Sequence, residues 1–166
     1  MNTADRSVEA LDTALRRRFS FVEMPPKPDL IKTVGKATDG LINEIDLVEL
    51  LKVINKRIEK LVDKDHMIGH SYLLNINNLS ALKKAFNNKI LPLLQEYFYG
   101  DFGKIGLVLG KGFIEDNQTD LDEDVFAQYD EYDSSSLIER KVYRLKDVVK
   151  MSDDEFTAAI YLLLKK

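Results

Sequence analysis

The sequence predicts a mainly α-helical fold with a small β contribution, and three observations carry that reading. Apolar residues recur at helical spacing over two long stretches, 47–62 and 82–98. Ser152 and Glu155 form a capping-box pair just before a third apolar stripe. The alternating, strand-like runs are short and lie only before residue 25 and after residue 111. At 166 residues the chain can bury one sizeable core, or one core with a small appendix. Hydrophobic residues at 45% and charged residues at 31% fit a soluble globular protein.

Taken in order, the first element is a helix over 7–15, which Ser7 can cap and whose Val8, Leu11 and Leu15 share one face. Residues 19–24 alternate and read as a short strand. Pro25, Pro26 and Pro28 end regular structure, because proline offers no N–H, and mark a linker between two subdomains. A short helix over 29–37, ending before Gly40, precedes Asp46, which with Glu49 makes a capping box. Leu47, Leu50, Leu51, Ile54, Ile58, Leu61 and Val62 then form one stripe, with Lys52, Lys56, Arg57 and Lys60 on the wet side. Residues 66–78 show no clear period. Ser80 is the expected N-cap of the next helix, whose stripe runs through Leu82, Ala85, Phe86, Ile90, Leu93, Leu94, Tyr97 and Phe98 with a kink or break at Pro92. The two long stripes are expected to pack on each other. Asp101 is expected to cap a helix over 102–109 with Ile105, Val108 and Leu109 inward, weakened by Gly106 and Gly110. β-like runs follow at 112–114, 125–129 and 141–145, then a last helix with Phe156, Ala159, Ile160, Leu163 and Leu164 inward.

Composition excludes several functions. Without cysteine there is neither a disulfide framework nor a thiolate metal site. His66 and His70 are the two histidines and cannot build a zinc site without carboxylate help, so no metal site is expected. No apolar run approaches the roughly 20 residues of a membrane span. The start of the chain lacks the apolar stretch of a signal peptide. A cytoplasmic setting without a membrane partner is therefore expected. Net charge is −4 and unevenly placed: residues 115–133 carry nine acidic side chains and no Lys or Arg, which would repel a phosphate backbone.

Two clusters near the start bear on chemistry, and each has two readings. Asn2-Thr3-Ala4-Asp5 is either a helix-capping tetrad, since Asn and Asp favour turns and caps, or a polar group at the end of a core strand. In the second case the Asn2 amide would orient a water against a terminal phosphate. Arg16-Arg17-Arg18 is either a solvated basic triplet or a set of arginines held in a turn between helix and strand. From such a turn a guanidinium can reach a neighbouring subunit and stabilise charge developing on a γ-phosphate. The joint spacing of the two clusters, with the strand after them, favours the second reading of each.

Met1-Asn-Thr-Ala-Asp-Arg-Ser, followed by Leu11-Asp-Thr-Ala-Leu-Arg-Arg-Arg-Phe-Ser-Phe21, resembles the AAA+ domain of McrB-type proteins, the GTP-driven motor subunits of modification-dependent restriction systems. Met67-Ile-Gly-His-Ser-Tyr72 resembles a motif of that family's lid, and Asn88-Lys-Ile-Leu-Pro-Leu-Leu-Gln-Glu-Tyr-Phe-Tyr99 resembles the lid helix that follows. The likeness runs over residues 1–110; residues 111–166 are placed by continuity. It implies the end of an α/β AAA+ core over 1–24, a helical lid over 25–110, and a small β-containing extension over 111–166 closed by a helix. Asn2 would be the sensor-1 residue and Asp5 part of the same catalytic or interface network. Arg17 and Arg18 would be the arginine finger and its supporting arginine, ahead of Arg16. Gly69, His70 and Ser71 would lie where the lid approaches the nucleotide, the alternative being a turn with a buried, satisfied histidine; Tyr72 and Leu73 would be core.

For the parent protein the resemblance implies hydrolysis of GTP, or ATP, with Mg²⁺ in a self-assembled hexameric ring. That hydrolysis would power DNA translocation and cleavage by a separate nuclease subunit, with DNA read by other domains. The chain departs from the family pattern in one large respect. It has no G-x-x-x-x-G-K-[ST] loop and no strand ending in an acidic pair; Gly35-Lys36, Gly103-Lys104 and Gly110-Lys111 lack the spacing and the following Ser/Thr. The expectation is a C-terminal segment of a larger NTPase that is inactive alone and binds no nucleotide tightly. Three rivals are a MoxR-like ATPase remodelling factor, a non-enzymatic interaction module using the acidic 115–133 stretch, and a DNA-binding helical domain using the three arginines. Negative net charge disfavours the last.

Overall fold

The computed structural model describes residues 22–117 and 142–165, together with Arg18, Ser20, Phe126, Ala127, Asp133 and Leu137. The described chain is mainly helical. After an irregular stretch comes α1 (Leu30–Val34), then a hairpin of β1 (Leu41–Ile42) and β2 (Ile45–Asp46), then α2 (Leu47–Leu61). Four further helices follow: α3 (Ser71–Leu74), α4 (Leu79–Ala85), α5 (Leu91–Tyr97) and α6 (Phe102–Leu109). A second antiparallel pair, β3 (Ile114–Asn117) with β4 (Val142–Leu145), runs in the register Ile114↔Leu145 to Asn117↔Val142. The last helix is α7 (Asp153–Leu164).

Helix starts follow local side-chain chemistry. Asp46 Oδ1 accepts the N–H groups of Val48 (2.8 Å) and Glu49 (3.1 Å) and so satisfies donors that α2 cannot satisfy internally. Asp101 does the same for α6 through the Lys104 N–H. The Ser152–Glu155 capping box of α7 is complete in both directions, at 3.1 and 2.7 Å. Gly110 ends α6 at φ 87°, a conformation that L-residues with a side chain disfavour.

Several expectations need correction. The N-cap of α4 is Asn78, whose side chain accepts the Ala81 N–H at 2.8 Å; Ser80 lies inside the first turn. The cause is Leu79, 8% exposed, which joins the helix in order to bury its side chain and so moves the cap upstream. The break at Pro92 takes the form of a wide π-type turn over Phe86–Ile90, in which the Leu91 N–H reaches back to Phe86 O, and Pro92 follows with no N–H to lose. The run 112–114 is mostly a 3₁₀ turn over Lys111–Phe113, and the strand starts at Ile114. The strand expected over 19–24 is absent at Ser20 and at 22–24, where Val22 is 83% and Met24 89% exposed: among the described residues no neighbouring strand supplies a ladder. No strand forms at Phe126 or Ala127, and the helix over 7–15 lies outside the described residues.

The largest difference is in packing. Helix α2 rests chiefly on α6 and α7, not on the 79–97 helix, and one buried cluster runs from Ile31 to Leu164. At its centre Phe86, Phe113 and Phe156 are all 0% exposed. Phe86 and Phe113 stack at 5.4 Å, and Phe156 meets them edge-on at 5.5 and 6.0 Å. Burying each ring contributes about 1.5–3 kcal/mol. Gly112 lets α7 close over this trio, because a Cβ there would lie 2.7 Å from Cα and Cβ of Ala159. Lys83 clamps the same seam from α4: its Nζ donates to Met151 O at 2.8 Å and to Asp153 Oδ1 at 2.6 Å.

Arg57 also departs from its expected wet position. Its guanidinium turns inward and donates to Val108 O and Leu163 O, both at 2.6 Å, so it satisfies carbonyls in the last turns of α6 and α7 at once. Partial burial lowers its pKa from the ordinary arginine value, but a guanidinium stays charged.

Two predictions follow from this packing. Arg57→Met keeps the apolar stem and removes both charge-assisted bonds; it is expected to cost about 2–4 kcal/mol in urea unfolding, with the far-UV spectrum of the native state retained. The second concerns acid. Asp29 beside Lys52, Asp63 beside His66, Asp101 on the Lys104 N–H, Asp147 beside Lys150 and Glu155 on the Ser152 N–H are all held below the usual carboxylate range by those hydrogen bonds. Their folded values lie below the unfolded values of about 4, so the unfolded chain binds more protons as pH falls. Stability is expected to be full above about pH 5 and to be lost as pH drops through the folded values, which thermal melts between about pH 6 and about pH 3 measure.

Candidate functional site

The segment 67–72 is built outward from a single buried amide. Asn55 lies on the inner face of α2 and is 5% exposed, the buried polar side chain of the described core. Its Nδ2 donates to Ile68 O at 2.9 Å, and the Ile68 N–H donates to its Oδ1 at 2.7 Å. The side chain thus pairs with both polar groups of one residue, as a neighbouring strand would, and leaves no buried group unmatched. Ile68 is itself 1% exposed, as is Leu73, five positions on. Short-range bonds from the Tyr72 N–H to Gly69 O and from the Leu73 N–H to His70 O start α3 between them. Gly69, His70 and Ser71 are therefore displayed on a rigid bridge between two buried anchors. Ser71 is exposed, while Gly69 and His70 are partly so.

Nothing in the surrounding structure requires glycine at 69. A Cβ there would meet Ser71 Oγ at 3.5 Å, ordinary contact. That hydroxyl is the one neighbour within 4 Å of such a Cβ, so the bare backbone leaves room for another group to approach. His70 Nδ1 accepts the backbone N–H of Lys27 at 3.2 Å, which puts the imidazole proton on Nε2. Beside Ser71 opens a cleft of about 480 Å³ lined by Ser71, Tyr72, Asn88, Lys89, Pro92, Leu93 and Glu96. Asn88 and Lys89 come from the π-type turn, which links that turn to the cleft. Nearby, burial pushes the Tyr97 phenol up to about 12, with Tyr72, Glu96 and Asp63 adding to the effect, so it stays a neutral O–H. The His66 ring packs edge-on to Tyr97 at 4.8 Å and bonds to Asp63 Oδ1 through Nδ1 at 2.6 Å.

The structure brings together Gly69, His70 and Ser71. Asn2, Asp5, Arg16 and Arg17 lie outside the described residues, and Arg18 is exposed. Tyr72 is partly buried against the core that holds Leu73. Among the described residues no group of three His, Asp or Glu side chains could hold a metal ion, and no helix is long and apolar enough to cross a membrane. Sequence reasoning missed Asn55 and Lys27. A signal for Asn55 existed: it follows Leu51 by one helical turn and precedes Ile58 by another, so it is a lone amide at an inward position. For Lys27 no local signal identifies the acceptor.

Asn55→Leu keeps the branched shape, with methyl groups in place of Oδ1 and Nδ2, and strips both bonds from Ile68. It is expected to cost about 2–3 kcal/mol, read from denaturant unfolding, because the Ile68 N–H and C=O stay buried without partners.

Comparison with known proteins agrees with this architecture. Residues 46–106 match the family described as McrB, alpha-helical lid domain. The chain is also 34% identical, over 114 residues, to the type IV methyl-directed restriction enzyme EcoKMcrB subunit of Escherichia coli (strain K12). That alignment covers 61% of this chain and 25% of the relative, so the chain spans about a quarter of the length of the curated protein it matches. Residues 46–106 thus resemble the alpha-helical lid domain of McrB, within a chain that is similar over 114 residues to a McrB-type restriction subunit.

Proposed function

We propose that this chain is the lid, with the adjoining end of the core, of a McrB-like AAA+ nucleotide hydrolase that acts in DNA restriction. The observation that carries the reading is the bridge between Ile68 and Leu73, on a lid of the McrB type, which displays Gly69, His70 and Ser71 outside the core. In this reading those residues face the nucleotide. The bare Gly69 backbone leaves room for a phosphate or sugar, and the Ser71 hydroxyl and His70 Nε2–H are donors of the kind that oxygen-rich groups accept.

Residues 1–24 are assigned to the end of the α/β core and 25–110 to the lid; residues 111–166 follow as an extension that completes the lid's core. Asn2 is assigned to orienting the attacking water, with Asp5 in the same network. Arg17 and Arg18 are assigned to stabilising charge on the γ-phosphate of a neighbouring subunit's nucleotide. GTP is the favoured substrate ahead of ATP, hydrolysed with Mg²⁺. The phosphate-cradling loop and the magnesium ligands belong to other parts of the parent protein, which assembles as a ring, works with a separate nuclease subunit and contacts DNA through other domains.

The test is turnover by the full-length parent with GTP and with ATP. Gly69→Ala is expected to lower kcat/KM about 10-fold, or about 1.4 kcal/mol in transition-state stabilisation, while shifting the melting temperature of this chain by no more than about 2 °C. A parent that hydrolyses neither nucleotide, or a Gly69→Ala variant with unchanged turnover, overturns the reading.

A further inference from the structure

The irregular stretch before α1 is fastened to the lid, and the fastening runs through His70. In Pro25-Pro26-Lys27-Pro28 three residues have no N–H, so the Lys27 amide is the one backbone donor of the run. That amide points at His70 Nδ1, across 43 positions of sequence. The Lys27 carbonyl accepts the Leu30 N–H, so the run passes directly into α1, whose Ile31 is fully buried. Ion pairs flank the contact on both sides: Glu23 Oε1 with Lys64 Nζ at 2.9 Å, and Asp29 Oδ1 with Lys52 Nζ at 2.8 Å. Exposed pairs of this kind are screened by solvent and add little beside the amide contact. The prolines restrict φ along the strap, and a stiff segment needs few tie points to be held.

We propose that His70 is a positioning residue: through Nδ1 it docks the strap 22–29 on the lid, so strap and lid move as one body and lid movement reaches the segment that carries Arg18. The proposal rests on the functional reading above and deepens it. It assigns the two ring nitrogens different tasks. Nδ1 faces the strap, and Nε2–H faces outward from the bridge.

Two side-chain amides separate the tasks. His70→Asn places an acceptor oxygen near the position of Nδ1, whereas His70→Gln places one near the position of Nε2. Amide exchange of Lys27 is followed by NMR in this chain, and GTP turnover in the full-length parent. Exchange at Lys27 is expected to rise about 10-fold in His70→Ala and His70→Gln and to stay near the wild-type rate in His70→Asn. In kcat the fall is expected in the same order, about 10-fold in His70→Ala and His70→Gln, while KM for GTP rises in the variants that lose the Nε2–H donor. The ¹⁵N shifts of His70 in the wild-type chain are expected to report the Nε2–H form. Unchanged Lys27 exchange in His70→Ala, equal protection by Gln and Asn, or better turnover with Gln than with Asn overturns the proposal. A wild-type parent that turns over neither GTP nor ATP overturns the functional reading instead and leaves the exchange result, and with it the docking, standing.

Discussion

The C-terminal ends of α6 and α7 carry carbonyl groups that their own helices leave without partners, and the Arg57 guanidinium meets one from each at 2.6 Å. This contact ties three helices at one point. Helix α2 contributes the cation, and the two helices packed on it contribute the negative ends of their dipoles. The planar fork suits the task, since a lysine ammonium could not present two divergent N–H groups at fixed geometry. Everything that makes the lid rigid hangs on α2 lying where this contact holds it. The Asn55 side chain leaves the same helix to grip Ile68, and the Asp46 cap begins it.

The display of Gly69, His70 and Ser71 is a product of that rigidity. A surface loop ordinarily ends in flexible residues, but this one is pinned at Ile68 by an amide pair and at Leu73 by burial. The three residues between are left to meet whatever lies outside the lid. Their positions are set by α2 on one side and by the strap at Lys27 on the other. On the flank the His66 ring bonds to Asp63 and packs edge-on to Tyr97.

Much of the fold was legible in the sequence because it depends on short-range rules. The stripe of α2, the caps at Asp46, Asp101 and Ser152, and the inward faces of α6 and α7 follow from periodicity and from side chains that reach their own backbone. What was not legible depends on pairing across long separations. Arg57 looks like any other cation on a wet face until α6 and α7 arrive beside it. The strand expected before the prolines has the right alternation, yet alternation alone supplies no ladder partner. Of the candidate site, the displayed segment 69–71 was visible as a motif on the resemblance to a lid. Its supports, Asn55 and Lys27, were not, because each bonds to backbone groups or rings that periodicity cannot locate.

The aromatic trio sets an order in time. Phe86 belongs to the lid helix, but it is covered only when Phe113 and Phe156 close over it, and the neighbouring Lys83–Asp153 clamp spans 70 positions. The Arg57–Leu163 contact spans 106. While the chain is being synthesised, the face around Phe86 therefore stays open until α7 has emerged. The lid is held by contacts whose loop-closure entropy must be met late, and these set its folding speed more than its helices do. Until Gly112 admits Ala159, Phe86 and Phe113 lack the cover that Phe156 of α7 supplies.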